Sequence, residues 1–224
     1  MRAATWNLQH GRPLVGMTRN DLLAQSLAVL DVDILAAQEV DCGQIRSWFV
    51  NQVDLAVTAT GSTASVYAKT ETIIPGSAGN VLCVRGEILN SEILRYATQR
   101  KAGMRRVAIL AVVRLETGEE LSVAATHLEM DEVTQLAQLE ELLDVFSNWP
   151  APRLLLGDLN MDAATAKPLF KKAGLTMAPG GPSFPSRDPA TRIDHVAVAG
   201  LKISSASVAW MPVSDHCAVV AELA

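Results

Sequence analysis

Residues 153–160 read Arg-Leu-Leu-Leu-Gly-Asp-Leu-Asn. An apolar run this short, closed by a glycine, reads as a strand over Arg153–Gly157 that is buried and ends in a polar turn. It delivers Asp158 and Asn160 to that turn. Upstream, Glu132–Trp149 sets Val133, Leu136, Leu139, Leu142, Leu143 and Phe146 along one helical stripe, and Pro150 and Pro152 stop it. Downstream, Ala163–Ala173 reads as a short helix ended by Gly174.

The same alternation extends to both ends. A first strand is expected at Ala3–Leu8. Thr18 and Asp21 resemble a capping box for a helix carrying Leu22, Leu23, Ser26, Leu27 and Leu30. A buried strand at Asp33–Val40 ends in Gln38-Glu39. A second helix is expected from about Gln44 to Leu55, with Ile45, Trp48, Phe49 and Val53 facing inward. Strands follow at Ser65–Lys69, Asn80–Val84, Ile88–Thr98, Arg106–Leu115 and Glu120–Thr126, with Thr117-Gly118 as a hairpin turn. After a Pro/Gly/Ser loop at Pro179–Pro189, three strands near Ile193–Ala199, Leu201–Trp210 and Ala218–Glu222 close the chain. Many strands mixed with helices predict an α/β (α+β) fold of two packed sheets with helices outside.

At 224 residues without a linker or repeat, the chain is expected to form a single domain over 1–224. Apolar residues at 49% against 19% charged describe a packed globular protein, not a disordered one. The net charge of −5 argues against holding nucleic acid by overall charge, though not against a locally basic site. Three cysteines, an odd number without a C-x-x-C pair, favour a reduced compartment. With no signal core and no stretch long enough to span a bilayer, a cytoplasmic location is expected. No basic amphipathic helix or apolar hairpin marks a lipase that binds membranes.

Polar residues cluster at predicted strand ends: Asn7, Glu39, His127, Asp158, Asn160, Asp194, Asp215 and His216. One such residue means little, but neighbouring strand ends can converge on a single rim. Of the four histidines, His127, His195 and His216 sit there. Taken alone, each also fits a buried imidazole with a hydrogen-bond partner, and for His195 that reading is preferred. Glu39 and Asp215 with Asn7 offer hard oxygen ligands suited to Mg²⁺ or Mn²⁺; zinc would want several His or Cys at short spacing. Arg95, Arg100, Lys101, Arg105 and Arg106 form the one basic cluster, either a solvated turn or a cationic rim for phosphate.

The ordered set Thr5-Trp6-Asn7, Gln38-Glu39, Thr126-His127-Leu128, Gly157-Asp158-Leu159-Asn160, Arg192-Ile193-Asp194-His195 and Ser214-Asp215-His216 resembles the endonuclease/exonuclease/phosphatase superfamily. Phe184-Pro185 and Gly79-Asn80 are similar to it as well. The resemblance implies a deoxyribonuclease I-like four-layer sandwich, two mixed β-sheets flanked by helices. It implies a divalent-metal-dependent phosphoester hydrolase, foremost a phosphodiesterase of endonuclease type acting on a phosphate-ester substrate, nucleic acid among them. A phosphatase of small metabolites or lipid head groups, and a non-catalytic binding module, are the alternatives. Glu39 would then be the principal ligand of Mg²⁺ (or Mn²⁺), aided by Asn7 and Asp215. Asp158 would orient or deprotonate the attacking water, with His216 the other candidate base, and Asn160 would hold that water or a phosphate oxygen. His127 and His216 would donate to phosphate oxygens, with Asp194 fixing the His216 tautomer. Apart from the resemblance, Arg100, Lys101, Arg105 and Arg106 would receive substrate if the basic cluster is a cationic rim and not a solvated turn. Specificity is expected in the loops Leu8–Thr18, Asp41–Ile45, Gln99–Arg106 and Pro179–Arg192.

Overall fold

The computed structural model describes residues 1–99 and 105–224. In chain order the elements are β1 (Arg2–Asn7), α1 (Asn20–Leu30), β2 (Ile34–Cys42), α2 (Gln52–Thr60), β3 (Ala64–Ile73), β4 (Gly76–Val84), β5 (Gly86–Arg95), β6 (Val107–Leu115) and β7 (Glu120–His127). Then come α3 (Glu132–Ser147), β8 (Arg153–Asp158), α4 (Ala163–Lys172), β9 (Thr176–Met177), β10 (Asp194–Ala199), β11 (Ile203–Ala209) and β12 (Ala218–Leu223). They form two six-stranded mixed sheets, ordered β11-β12-β1-β2-β4-β3 and β5-β6-β7-β8-β10-β9.

Alternation along the strands explains the layers. In β8, Leu154 and Leu156 join the core between the sheets, whereas Leu155 points outward beneath α3 and α4 to Phe146 and Phe170. A strand covered on both faces has no polar side, hence the unbroken leucine run. In β1, Ala3 faces the central core, while Ala4 and Trp6 meet Leu23 and Leu27 of α1. Two sheets thus pack face to face with a helical layer on each outer side.

Topology brings the site to one edge. The parallel pairs β1–β2 and β7–β8 set Asn7 beside Gln38-Glu39 in one sheet and His127 beside Asp158 in the other, and the Asn7–Asp158 hydrogen bond shows that both groups lie at one end. Antiparallel partners start where those strands finish. Asp194 opens β10 directly opposite Asp158, and His216 precedes β12, whose Val219 lies opposite Thr5.

Several sequence expectations need correction. Residues 44–51 do not open a helix: Ile45–Ser47 is a short 3₁₀ turn, Trp48 and Phe49 adopt left-handed backbone (φ 58° and 59°), and α2 starts at Gln52. The Asn51 side chain accepts from the Val53 N–H, and this cap decides the start. Ile45, Trp48 and Phe49 are exposed, not inward. Thr18 does not cap α1. Arg19 holds that position without a side-chain cap bond, and its guanidinium pairs with Asp21. Val133 lies off the buried stripe of α3, and β5 stops at Arg95, short of the expected Thr98.

Candidate active site

At the rim, the backbone bends to turn side chains inward. In β2 the pairing with β4 shifts register between Ala37 and Val40, and Glu39, inside this bulge, has φ 54°. A bulge re-aims one side chain without ending the strand. Asn160 (φ 51°) and Ser214 (φ 73°) are also left-handed. Non-glycine residues hold such conformations only where surrounding bonds over-determine them. Here the Asn160 N–H donates to Asp158 Oδ1 at 2.9 Å and its Nδ2 to the Leu128 carbonyl at 2.9 Å. Ser214 Oγ donates to the Asn7 carbonyl at 2.6 Å and accepts from the His216 N–H at 3.0 Å, tying the β12 entry to the β1 exit.

Asp158 is the centre of the arrangement. Its Oδ2 accepts from Asn7 Nδ2 at 3.0 Å and lies 3.4 Å from His127 Nε2 and 3.8 Å from His216 Nε2. Asn7 Nδ2 also donates to Glu39 Oε1 at 3.1 Å, so one amide edge bridges two carboxylates from different sheets. His216 Nδ1 meets Asp194 Oδ2 at 2.9 Å, and that same oxygen accepts from Ser183 Oγ at 2.6 Å. The Phe184 ring packs on the His216 imidazole with centroids 4.8 Å apart. Asp158, Asp194, His127 and His216 are all buried, whereas Glu39 is partly open and Asp215, 4.0 Å from His216 Nε2, is about a third exposed at its side chain.

Charge differentiates the groups. Burial, reinforced by the neighbouring Asp194 carboxylate, pushes Asp158 up to about 6. Burial opposes charge on His216, but Asp194 and Asp158 outweigh it and raise that imidazole to about 10. His127 goes the other way: burial, then Arg106 and His216, hold it well below its ordinary value, so it is neutral at pH 7. The site therefore pairs one charged and one neutral imidazole around a carboxylate.

The sequence candidates divide accordingly. Asn7, Glu39, His127, Asp158, Asn160, Asp194, Asp215 and His216 come together at this rim. His195 stays apart: its Nε2 meets the Met161 carbonyl at 2.8 Å, its ring faces Phe170, and burial depresses it to about 4. Arg100 and Lys101 lie outside the described residues. Arg106 is buried 3.5 Å from Glu129, and exposed Arg105 and Arg95 flank it around a cavity of about 210 Å³. Sequence reasoning assigned no role to Ser183, Ser214, Phe184 or Glu129. Nothing in a Pro/Gly/Ser loop distinguishes the serine that will hold Asp194 from those that merely turn the chain.

Asp158, Asp194 and His216 could also be read as a metal triad, since their ligand atoms lie within 4.8 Å of one another. Their bonds favour proton handling instead. Asp194 Oδ2 is taken by Ser183 and His216, only its Oδ1 is left without a hydrogen bond, and a protonated imidazole has no lone pair to give a metal.

Residues 4–216 match the profile of the Endonuclease/Exonuclease/phosphatase family. The chain belongs to that family. Members of the endonuclease/exonuclease/phosphatase family are hydrolases of phosphoesters and generally use a divalent metal. Solved structures agree in fold. An endonuclease/exonuclease/phosphatase from Beutenbergia cavernae is 20% identical with TM-score 0.82, covering 100% of this chain and 71% of its own. A mannosyl-6-phosphatase from Bacteroides thetaiotaomicron is 17% identical with TM-score 0.75, covering 100% and 99%. The human Nocturnin catalytic domain, bound to sulfate, is 19% identical with TM-score 0.74, covering 100% and 94%. No curated protein sequence gives a significant match.

Proposed function

We propose that this chain is a divalent-metal-dependent hydrolase of phosphodiesters, acting by direct attack of water. The observation that carries this reading is Asp158 Oδ2, which faces Asn7, a neutral His127 and a charged His216 within one buried cluster. A carboxylate raised to about 6 is ionised at neutral pH yet basic enough to take a proton from water. The Asn160 N–H on Oδ1 fixes its orientation. His216, held through Nδ1 by Asp194, presents Nε2–H to a non-bridging phosphate oxygen as charge develops there. His127 adds a neutral donor.

The residues fit the family's metal. Glu39, Asp158, Asp194 and Asp215 gather against one imidazolium, and the Asp194 charge already resists ionisation of Asp158. Such an excess of negative charge, with hard oxygen donors at Glu39 and Asp215, suits Mg²⁺ or Mn²⁺. Glu39 would hold the ion with Asn7 and Asp215; as oriented, Asn7 Oδ1 accepts from the Gln9 N–H at 3.0 Å. When bound, the metal would offset charge on the phosphate and on the leaving oxygen.

Nucleic acid is one source of phosphodiester, and exposed Arg95 and Arg105 would face it. Arg106 contributes less, because Glu129 sits beside it. A panel of bis-p-nitrophenyl phosphate, p-nitrophenyl phosphate, plasmid, abasic duplex, sphingomyelin and inositol phosphates tests the proposal. Turnover of the diester should need Mg²⁺ or Mn²⁺, stop in EDTA, and vanish in Asp158→Asn. Full activity in EDTA would sink the metal assignment, and an active Asp158→Asn would remove the base.

A further inference from the structure

Large apolar side chains are not spread evenly over the surface. Leu14, Val15 and Met17 stand exposed on the loop that follows β1, the strand of Asn7. Ile45, Trp48 and Phe49 stand exposed on the loop that follows β2, the strand of Glu39. Ile74 tops the turn between β3 and β4.

Hydrogen bonds join these three segments into one rim. Trp48 Nε1 donates to the Thr18 carbonyl at 3.3 Å, and Gln44 Nε2 to the Ile73 carbonyl at 3.1 Å. The Ser214 N–H donates to the Arg12 carbonyl at 2.7 Å, fastening the rim to the turn that carries Asp215 and His216. Trp48 and Phe49 point outward on backbone in the left-handed region, a conformation bulky residues rarely adopt. An exposed apolar group of this extent, held in place rather than loose, marks a surface that is covered in use.

We propose that this rim docks onto a lipid bilayer, so that the neighbouring site meets phosphodiester head groups. Charge and shape select that occupant. Two of the three arginines on the loops are neutralised locally, Arg19 by Asp21 at 2.6 Å and Arg46 by Asp41 at 2.7 Å. A polyanion would find little to hold. Val15 and Ile74 are each 90% exposed, so they protrude and cannot line a pocket for a small soluble ligand. A folded partner would need a matching hole for each tip, whereas a fluid bilayer closes around them. Apolar tips enter about 5–10 Å, to the boundary of the head groups and chains, where phosphodiesters stand. The sequence hides this surface because its three segments lie far apart in the chain.

What the bilayer presents to the site rests on the phosphodiesterase reading; the docking itself does not. The test is therefore sedimentation with phosphatidylcholine vesicles in EDTA, which needs no turnover. Wild-type protein should pellet with vesicles and still do so in about 1 M NaCl, where screening leaves charge attraction a range of only about 3 Å. Val15→Ser/Ile74→Ser should lower the partition coefficient at least about tenfold at unchanged Tm, because both side chains lose burial only in the bilayer. Asp158→Asn should pellet like wild type. The proposal is overturned if wild type stays in the supernatant, if the double variant pellets equally, or if salt releases the protein. A dimer in gel filtration that the double variant dissolves would equally overturn it, since a second copy would then cover the rim.

Discussion

Asp194 has no exposed surface, and its Oδ2 receives both Ser183 Oγ and His216 Nδ1. Removing its charge while keeping its shape separates electrostatics from packing. In Asp194→Asn an amide can still accept from Ser183, but His216 loses the neighbour that does most to hold it charged. We expect kcat to fall by about 10² or more, within the range for an acid–base partner, with metal affinity hardly changed. Ser183→Ala removes the bond to Asp194 Oδ2 and the two that Ser183 Oγ accepts from the Ile193 and Asp194 N–H groups, and should lower stability by about 1–3 kcal/mol, with a smaller kcat loss than Asp194→Asn. Steady-state kinetics and thermal melts check both. If Asp194→Asn retained most of its activity, the Asp194–His216 pair would not serve the reaction.

At the scale of elements, the β7–β8 pair aligns the catalytic groups, placing His127 opposite Asp158. Gly157 lets the strands approach here: a Cβ built on it would lie 2.5 Å from the Thr126 carbonyl oxygen and 2.9 Å from Thr126 Cγ2. Gly157→Ala should push β8 away from β7 and cost about 1–3 kcal/mol, the usual range for overpacking. It should also lower kcat, because Asp158 is the next residue. A variant with wild-type Tm and kcat would show that the strands can give without moving the site. At α2 the Asn51 cap has only a local task, so Asn51→Ala should cost about 1 kcal/mol and leave kcat alone.

Across the whole molecule, the concentrated acid of the site links stability to pH and metal. The folded-state value of His216, about 10, lies above its ordinary 6.5. The folded protein therefore binds the extra proton between those values, and the stabilisation is complete below about 6.5 and lost as pH rises through about 10. In chelator, Tm should decline across this window, and the difference between wild type and His216→Gln should isolate the contribution of His216. Asp158, raised to about 6, has the opposite chemical sign but the same slope: its burial disfavours the ionised form, so stability also falls as pH climbs from about 3.8 to about 6. Adding Mg²⁺ or Mn²⁺ at neutral pH should raise Tm by mass action in wild type and much less in Glu39→Gln. Equal shifts in the two proteins would place the ion elsewhere. Among the described residues no helix is long and apolar enough to cross a membrane.

Local chemistry made much of this protein legible from its residues. The leucine run of β8, the stripe of α3 and the spacing of polar strand ends reported a two-sheet fold and most of its rim, because periodicity and burial are properties of short segments. The ordered motifs from Thr5 to His216 named the residues that meet there. Residues 44–51 misled, since Ile45, Trp48 and Phe49 carry helical spacing but a cap at Asn51 and left-handed backbone turn them to the surface. The Arg106–Glu129 contact was likewise invisible, as nothing in a run of basic residues says which one will be buried beside an acid. Only the tertiary structure decided that His127 is neutral: it shares a residue type with His216, and its protonation depends on which cations and carboxylates the fold brings against it. Long-range juxtaposition, of three loops at an apolar rim and of strand ends from two sheets around Asp158, is settled by packing and topology, which no single stretch of sequence contains.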